Sequence, residues 1–208
     1  DLIAQRKTFE YAAAISPLPL SLVTAGELYA LDVWRNYKDA TTTEPAKSYI
    51  KLALSTMTQG ENATLALEQD PFQSASLTTV YQREGDGLAY LAYMNAVDAS
   101  RVESAYKKSI QASEKYTYNP FAYYDYAAFL VNQFGTSRAS DIADLLKTVI
   151  EKSSDKNATY FVTFLKDAKK GNFQATYKRS IVKLAAADAA FKTYLVSLGW
   201  QESDFTSK

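Results

Sequence analysis

Apolar residues recur every three or four positions along nearly the whole chain, and this spacing constrains the fold more than any other feature. The clearest ladder lies near the C-terminus: Phe173, Tyr177, Ile181, Leu184, Phe191, Leu195 and Leu198. Steps of three and four residues place side chains on one face of an α-helix, whereas a half-buried strand alternates every second residue. Strand-like alternation of β-branched residues is missing over any useful length of the sequence. The sequence therefore predicts an all-α protein.

The same periodicity predicts the individual helices. They fall near residues 3–15, 21–39, 44–58, 63–69, 72–84, 90–97, 100–113, 121–134, 139–153 and 158–169, before a long C-terminal helix that ends near Gly199. Ser100 and Glu103 fit a capping box, which predicts a helix start at Ser100. Polar residues followed by Pro17, Pro71 and Pro120 predict further helix starts, because the first helical residue has no intrahelical partner for an N–H.

The chain of 208 residues contains no cysteine and no histidine. This composition excludes zinc, haem and iron–sulfur sites that use those ligands, and it excludes Ser-His-Asp and Cys-His nucleophiles. An apolar fraction of 47% is ample for a packed core. We expect no cofactor and no metal ion.

Charge and hydropathy limit the partners. The 23 basic and 23 acidic side chains cancel, so no overall field attracts nucleic acid or an anionic bilayer. No stretch approaches the roughly 20 apolar residues that span a membrane, and we expect no direct insertion by this segment. Because the sequence begins at Asp1, we expect a processed chain or a part of a longer one, with an extracytoplasmic or membrane-attached location favoured and the compartment open.

Repeated local patterns suggest repeated helix pairs. The run Tyr106-Lys107-Lys108-Ser109-Ile110 returns as Tyr177-Lys178-Arg179-Ser180-Ile181, after a turn at Gly171-Asn172-Phe173. These features resemble tetratricopeptide repeats over residues 63–198, although the Trp-x-x-Leu-Gly opening of that family is missing. The resemblance implies one domain over 1–208, with divergent N-terminal helices in 1–62, repeats in 63–198 and a tail in 199–208. It also implies antiparallel helix pairs in a right-handed superhelix whose groove binds proteins or peptides.

A second resemblance rests on the Asp70-Pro71-Phe72 and Asn119-Pro120-Phe121 junctions and on the abundance of tyrosine and alanine. These features are similar to soluble repeat domains attached to bacterial membrane glycan polymerases and ligases. That resemblance implies an accessory role in glycan handling.

The stretch YTYNPFAYYDYAAF, residues 116–129, holds five tyrosines and two phenylalanines. A helix between neighbours is buried on more than one side, so most of these rings are predicted to fill the interior. The remainder forms a predicted partner-binding surface: Tyr116, Tyr118, Tyr124, Asp125 and Asn132. For a peptide partner, Gln133 and Asn95 are further candidates to hold backbone groups; for a sugar, Trp34 and Trp200 would serve if exposed, although packing is favoured for both.

Catalytic signals are weak. Glu84-Gly85-Asp86-Gly87 is interpreted as a glycine-rich turn and resembles a fragment of a calcium loop, but it lacks the alternating ligands and the terminal glutamate. Glu84 is the one candidate for carboxylate-based glycosidic chemistry. We therefore expect a non-enzymatic scaffold that binds a protein or peptide within a larger membrane-associated or cell-surface assembly. The alternative is a glycan-handling domain, either carbohydrate-binding or accessory to a membrane glycosyltransferase or polymerase.

Overall fold

The computed structural model describes residues 2–15, 17–37, 43–67, 74–152, 182, 185–187, 189–197 and 199–206. Within these residues the regular structure is entirely helical, which confirms the predicted all-α class. The α-helices are α1 (Leu2–Ile15), α2 (Pro19–Asn36), α3 (Glu44–Leu67), α4 (Leu77–Tyr93), α5 (Ala99–Lys115), α6 (Pro120–Phe134), α7 (Ala139–Lys152), α8 (Ala189–Ser197) and α9 (Glu202–Phe205). Short 3-10 turns at Ser74–Ser76 and Gly135–Arg138 precede α4 and α7.

The chain divides into two compact units, Asp1–Ala122 and Tyr123–Lys208. The first unit holds α1 to α5 and the beginning of α6. The second holds the rest of α6 together with α7, α8 and α9. The predicted boundaries at residues 62 and 198 stay predictions.

Helix pairs stack against each other in the first unit. Helix α2 packs along α3, and α4 packs along α5. The two pairs meet mainly where α2 contacts α4, with a smaller contact between α3 and α4, while α1 lies against α2. Stacked helix pairs of this kind are compatible with a helical repeat fold.

Close backbone approach holds the stack together. A Cβ built on Gly26 of α2 would lie 2.9 Å from the carbonyl oxygen of Ala53 in α3. A Cβ built on Gly87 of α4 would lie 3.0 Å from Cα of Glu27 in α2. Both positions therefore need glycine because a neighbouring helix occupies the space of a side chain.

Two predicted breaks are wrong. Residues 44–58 and 63–69 were expected to be separate helices, but α3 runs unbroken from Glu44 to Leu67. The ranges 72–84 and 90–97 likewise give way to the single helix α4, so Glu84-Gly85-Asp86-Gly87 is helical and is neither a turn nor a calcium loop. Glycine costs about 1 kcal/mol in a helix. Burial of α4 against its neighbours outweighs this cost, because Gly85 and Gly87 are both buried.

The observed starts of α5, α2 and α6 can be compared with the predicted caps. The side chain of Asp98 accepts a 2.7 Å hydrogen bond from the backbone N–H of Ser100, so the predicted capping box starting at Ser100 is wrong. Glu103 instead pairs with Lys107 at 3.5 Å. Helix α2 begins at Pro19 and not at Pro17. The predicted start at Pro120 is confirmed: the carboxamide oxygen of Asn119 accepts a 3.0 Å hydrogen bond from the N–H of Phe121.

Helices α4 and α8 end alike. The N–H of Ala96 donates to the carbonyl of Leu91 at 2.9 Å, and Asn95 between them has a φ of 57°. After α8, Trp200 donates to Leu195 around Gly199, which confirms the predicted end near that glycine. Each end is a Schellman motif, in which a left-handed residue lets the last carbonyls find donors. The predicted Pro71 junction, the helix at 158–169, the turn at Gly171 and the repeat at Tyr177–Ile181 lie outside the described residues.

Candidate functional site

The predicted partner-binding residues near the start of α6 are partly packed. The Tyr116 ring is half-buried against Leu77, Tyr81 and Ala112, and the Lys115 ammonium lies 4.8 Å from its centre. Tyr118 is also half-buried. Much of the surface of Tyr116 therefore belongs to the α4–α5 pair and is not open to a partner.

The other predicted residues lie on α6 in the second unit. Tyr124 and Asp125 are half-buried, with the hydroxyl oxygen of Tyr124 shielded from solvent, while Asn132 is exposed. The predicted set is thus divided between the two units, and its role in binding stays a prediction. Tyr123, Tyr126 and Phe129 are buried, as predicted for the rings of this stretch, whereas Phe121 is 45% exposed.

A different aromatic group is open to solvent in the first unit. Trp34, at the end of α2, is 45% exposed. Its ring centre lies 5.3 Å from that of Tyr90 and 6.4 Å from that of Tyr93, both on α4. We call these three residues the aromatic cluster. The expectation of packing is correct for Trp200, which is buried and stacked on Phe205 at 5.6 Å, but it is incomplete for Trp34.

Charged side chains join α2 to α4 next to the aromatic cluster. Nη1 of Arg83 donates to both carboxylate oxygens of Glu27, at 3.2 and 3.3 Å. Trp34 follows Glu27 by seven positions, and Tyr90 follows Arg83 by the same interval. Seven residues bring a helix back to the same face about 10 Å further along its axis. The ion pair and the aromatic cluster therefore lie along one seam between α2 and α4.

Burial raises the pKa values of two carboxyl groups at this seam, Glu27 and Asp86. It raises the pKa of Glu27, and the neighbouring Asp86 raises that pKa further while Arg83 opposes the shift. Burial also raises the pKa of Asp86, although the Tyr106 hydroxyl donates to its carboxylate at 2.7 Å and stabilises the ionised form. Raised carboxylate pKa values are common at functional sites. Here the buried Glu27 is held by Arg83 and joins two helices, so packing explains the shift.

Glu84, the predicted acid or base, is an internal residue of α4. It is 5% exposed, and burial raises its pKa to about 7, with the charge of Glu61 adding to the shift. Lys108 and Arg101 oppose it. In the described part of the chain, Oε2 of Glu84 has no hydrogen-bond partner and no group of three acidic side chains is arranged to hold a metal ion.

Comparison with known proteins finds no family model, no curated protein and no solved structure that matches this chain. Among the helices that the structure describes, none combines the length and the apolar character that a membrane crossing requires. The aromatic cluster could not be found from the sequence, because Trp34 is more than fifty residues away from Tyr90 and Tyr93 and meets them only when α2 packs on α4.

Proposed function

We propose that this chain is a non-enzymatic helical-repeat scaffold that binds a protein or peptide partner through the aromatic cluster. The observation that carries the proposal is the exposure of Trp34 while its ring contacts Tyr90 and Tyr93. A right-handed, tetratricopeptide-like superhelix and a place in a larger membrane-associated or cell-surface assembly belong to the same proposal.

Tryptophan and tyrosine dominate the binding energy of protein interfaces, because a large rigid ring gains much contact area and loses little conformational freedom. Trp34 is already oriented by its two tyrosine neighbours, so a partner would not have to order it on binding. The side chain of Arg83 lies on the same seam and is 43% exposed. An apolar anchor of the partner would cover Trp34, and a polar group two helical turns away would face Arg83.

Stacked helix pairs suit this task. Helices α2 and α4 each come first in their pairs and contact each other along their length. Arrays of stacked helix pairs present extended concave surfaces to their partners, and in such an array the seam that carries the aromatic cluster would face the partner.

A glycan is the second candidate partner, and Trp34 is also the residue that favours it. Sugars stack on flat, exposed aromatic rings, and Trp34 offers such a ring. Asn36 lies two positions after Trp34 on α2, where side chains do not share a face, and its carboxamide donates to Asp32. The ring therefore gains no carboxamide neighbour from its own helix, which favours the peptide over the sugar.

Selection of random peptides on the intact chain, followed by titration of the selected peptides, tests the proposal. We expect Trp34→Ala to weaken their binding at least about tenfold, as loss of an interface tryptophan does. Leu20→Ala is the matched control, because Leu20 is an exposed apolar residue of the same helix. Peptides that bind the Trp34→Ala chain as tightly as the wild type would refute the role of the cluster. Binding of oligosaccharides alone, lost on Trp34→Ala, would favour the glycan alternative.

A further inference from the structure

A second surface of the first unit carries a different chemistry. A groove of about 740 Å³ opens between α3 and the turn that joins α4 to α5. Its cationic side chains are Lys47 and Lys51 from α3 and Arg101 from the first turn of α5. In the described part of the chain, no carboxylate lines this groove. The volume lies within the range of about 300–1,000 Å³ that is typical of ligand sites.

We infer that this groove binds an acidic peptide segment that carries apolar side chains between its carboxylates. None of the residues of the aromatic cluster lines the groove. The inference therefore names a second binding site and does not depend on the one proposed above.

The cations of the groove are only weakly compensated: Arg101 interacts with the buried Glu84 through space, without an ion pair. Lys51 and Arg101 are exposed, and within the described residues neither makes an ion pair. Lys47 pairs with Glu44 at 3.2 Å, but the Glu44 side chain is 83% exposed. Such exposed pairs are worth less than about 1 kcal/mol. Carboxylates of a ligand can therefore pair with each of the three cations, since little free energy is lost by displacing Glu44 from Lys47.

Apolar side chains in the same groove favour a peptide over a bare anion. Ile50 and Leu54 lie one helical turn apart on α3, and both are half-buried in the lining. A phosphate ion or a polyuronic acid has no side chains to place there, whereas leucine or isoleucine of a peptide gains about 25 cal/mol for each Å² that it buries.

Asn95 gives the groove a carboxamide on a backbone of defined conformation. Its left-handed backbone, with a φ of 57°, ends α4 in the Schellman motif and leaves the residue exposed in the lining. A carboxamide both donates and accepts, so it can pair with an extended peptide backbone. Backbone recognition of this kind adds binding that does not depend on the charge of the ligand.

The test uses a short fluorescent peptide that contains glutamates and leucines, titrated into the intact chain at low salt. We expect saturable binding that the double variant Lys51→Glu/Arg101→Glu weakens at least about tenfold, since two attractive charges become repulsive. The control matched in charge is Lys7→Glu/Arg35→Glu, which reverses an exposed lysine of α1 and an exposed arginine of α2 outside the groove. Circular dichroism establishes that each variant keeps its helices.

Two further ligands test whether the groove prefers an apolar acidic peptide over other anions. A peptide with serines in place of the leucines should bind at least about threefold more weakly, because the contact with Ile50 and Leu54 is lost. Oligogalacturonate should bind less well than the leucine peptide. Equal binding of all three ligands, or binding that is unchanged by Lys51→Glu/Arg101→Glu, would overturn the inference. Trp34→Ala should leave this binding unchanged, so failure here is distinguishable from failure of the proposed aromatic site.

Discussion

The ring of Tyr106 in α5 occupies the space that a side chain at Gly85 in α4 would need. A Cβ built on Gly85 would lie 2.7 Å from both Cδ1 and Cε1 of that ring. The hydroxyl of the same tyrosine donates a 2.7 Å hydrogen bond to Asp86. One side chain thus fixes both the distance and the rotation of α5 relative to α4.

Gly85→Ala should destabilise the first unit although alanine is the better helix former. Alanine gains about 1 kcal/mol of helix propensity, but the new methyl group would force the buried Tyr106 ring to move. Overpacking of a core typically costs about 1–3 kcal/mol, and we expect a net loss of stability in urea unfolding. Ser104→Ala, at an exposed position of α5, is the control and should stay close to wild type. A Gly85→Ala chain that is more stable than wild type would contradict this packing.

Tyr106→Phe should lower stability by about 1–2 kcal/mol, because it removes a hydrogen bond to a carboxylate and keeps the ring that packs on Gly85. The loss should be larger above the pKa of Asp86 than below it, since the hydroxyl stabilises the ionised form. Urea unfolding of both chains at acidic and alkaline pH measures the difference. An equal loss at both pH values would show that the Tyr106 hydroxyl does not stabilise the ionised form of Asp86.

Glu84→Gln should stabilise the protein at alkaline pH and have little effect near pH 4.5. The pKa of Glu84 rises from 4.5 to about 7 on folding. Below pH 4.5 the group is protonated in both states, so its charge costs nothing. Between pH 4.5 and 7 the unfolded chain releases the proton first, and stability falls as pH rises.

The full cost of ionising Glu84 in the folded protein is present above pH 7 and amounts to about 3 kcal/mol. The glutamine variant lacks this cost, so the two stability curves should separate as pH rises. Glu44→Gln is the control because the Glu44 side chain is 83% exposed. Parallel curves for Glu84→Gln and wild type from pH 5 to pH 8 would disprove the assignment.

Asn95→Ala should cost about 1 kcal/mol, because alanine disfavours the left-handed backbone that ends α4. Asn95→Gly should equal or exceed wild-type stability, since glycine adopts that conformation freely. Thermal unfolding of both variants measures the difference. If the two substitutions were equally harmful, the carboxamide and not the backbone would be the important feature of this position.

Local sequence signals predicted the all-α class and several helix ends. The side chain of Asn119, the proline that follows it and the left-handed Gly199 act within one turn of the chain, and their effects are visible in the sequence. The cap at Asp98 was missed because Ser100 and Glu103 fit a second local pattern equally well. Only the hydrogen bond to the N–H of Ser100 decides between them.

The features that the sequence did not predict depend on tertiary contacts. Two glycines so close together, at Gly85 and Gly87, are typical of a turn. Nothing nearby in the sequence shows that Tyr106 and Glu27 occupy the space that side chains at these two positions would need. The exposure of Trp34 likewise depends on how the distant α4 packs on α2. The candidate site was therefore less predictable than the fold, because its residues belong to different helices.

Gly87 has a consequence for any longer version of this protein. The missing side chain there lets one helix pair rest on the backbone of the previous pair at Glu27. A methyl group at that point would push the two helix pairs apart and tilt one relative to the other. In an extended array this tilt would be repeated at every pair and would change the curvature of the array. An engineer who duplicates a pair to lengthen the array should therefore copy this glycine before any of the aromatic residues.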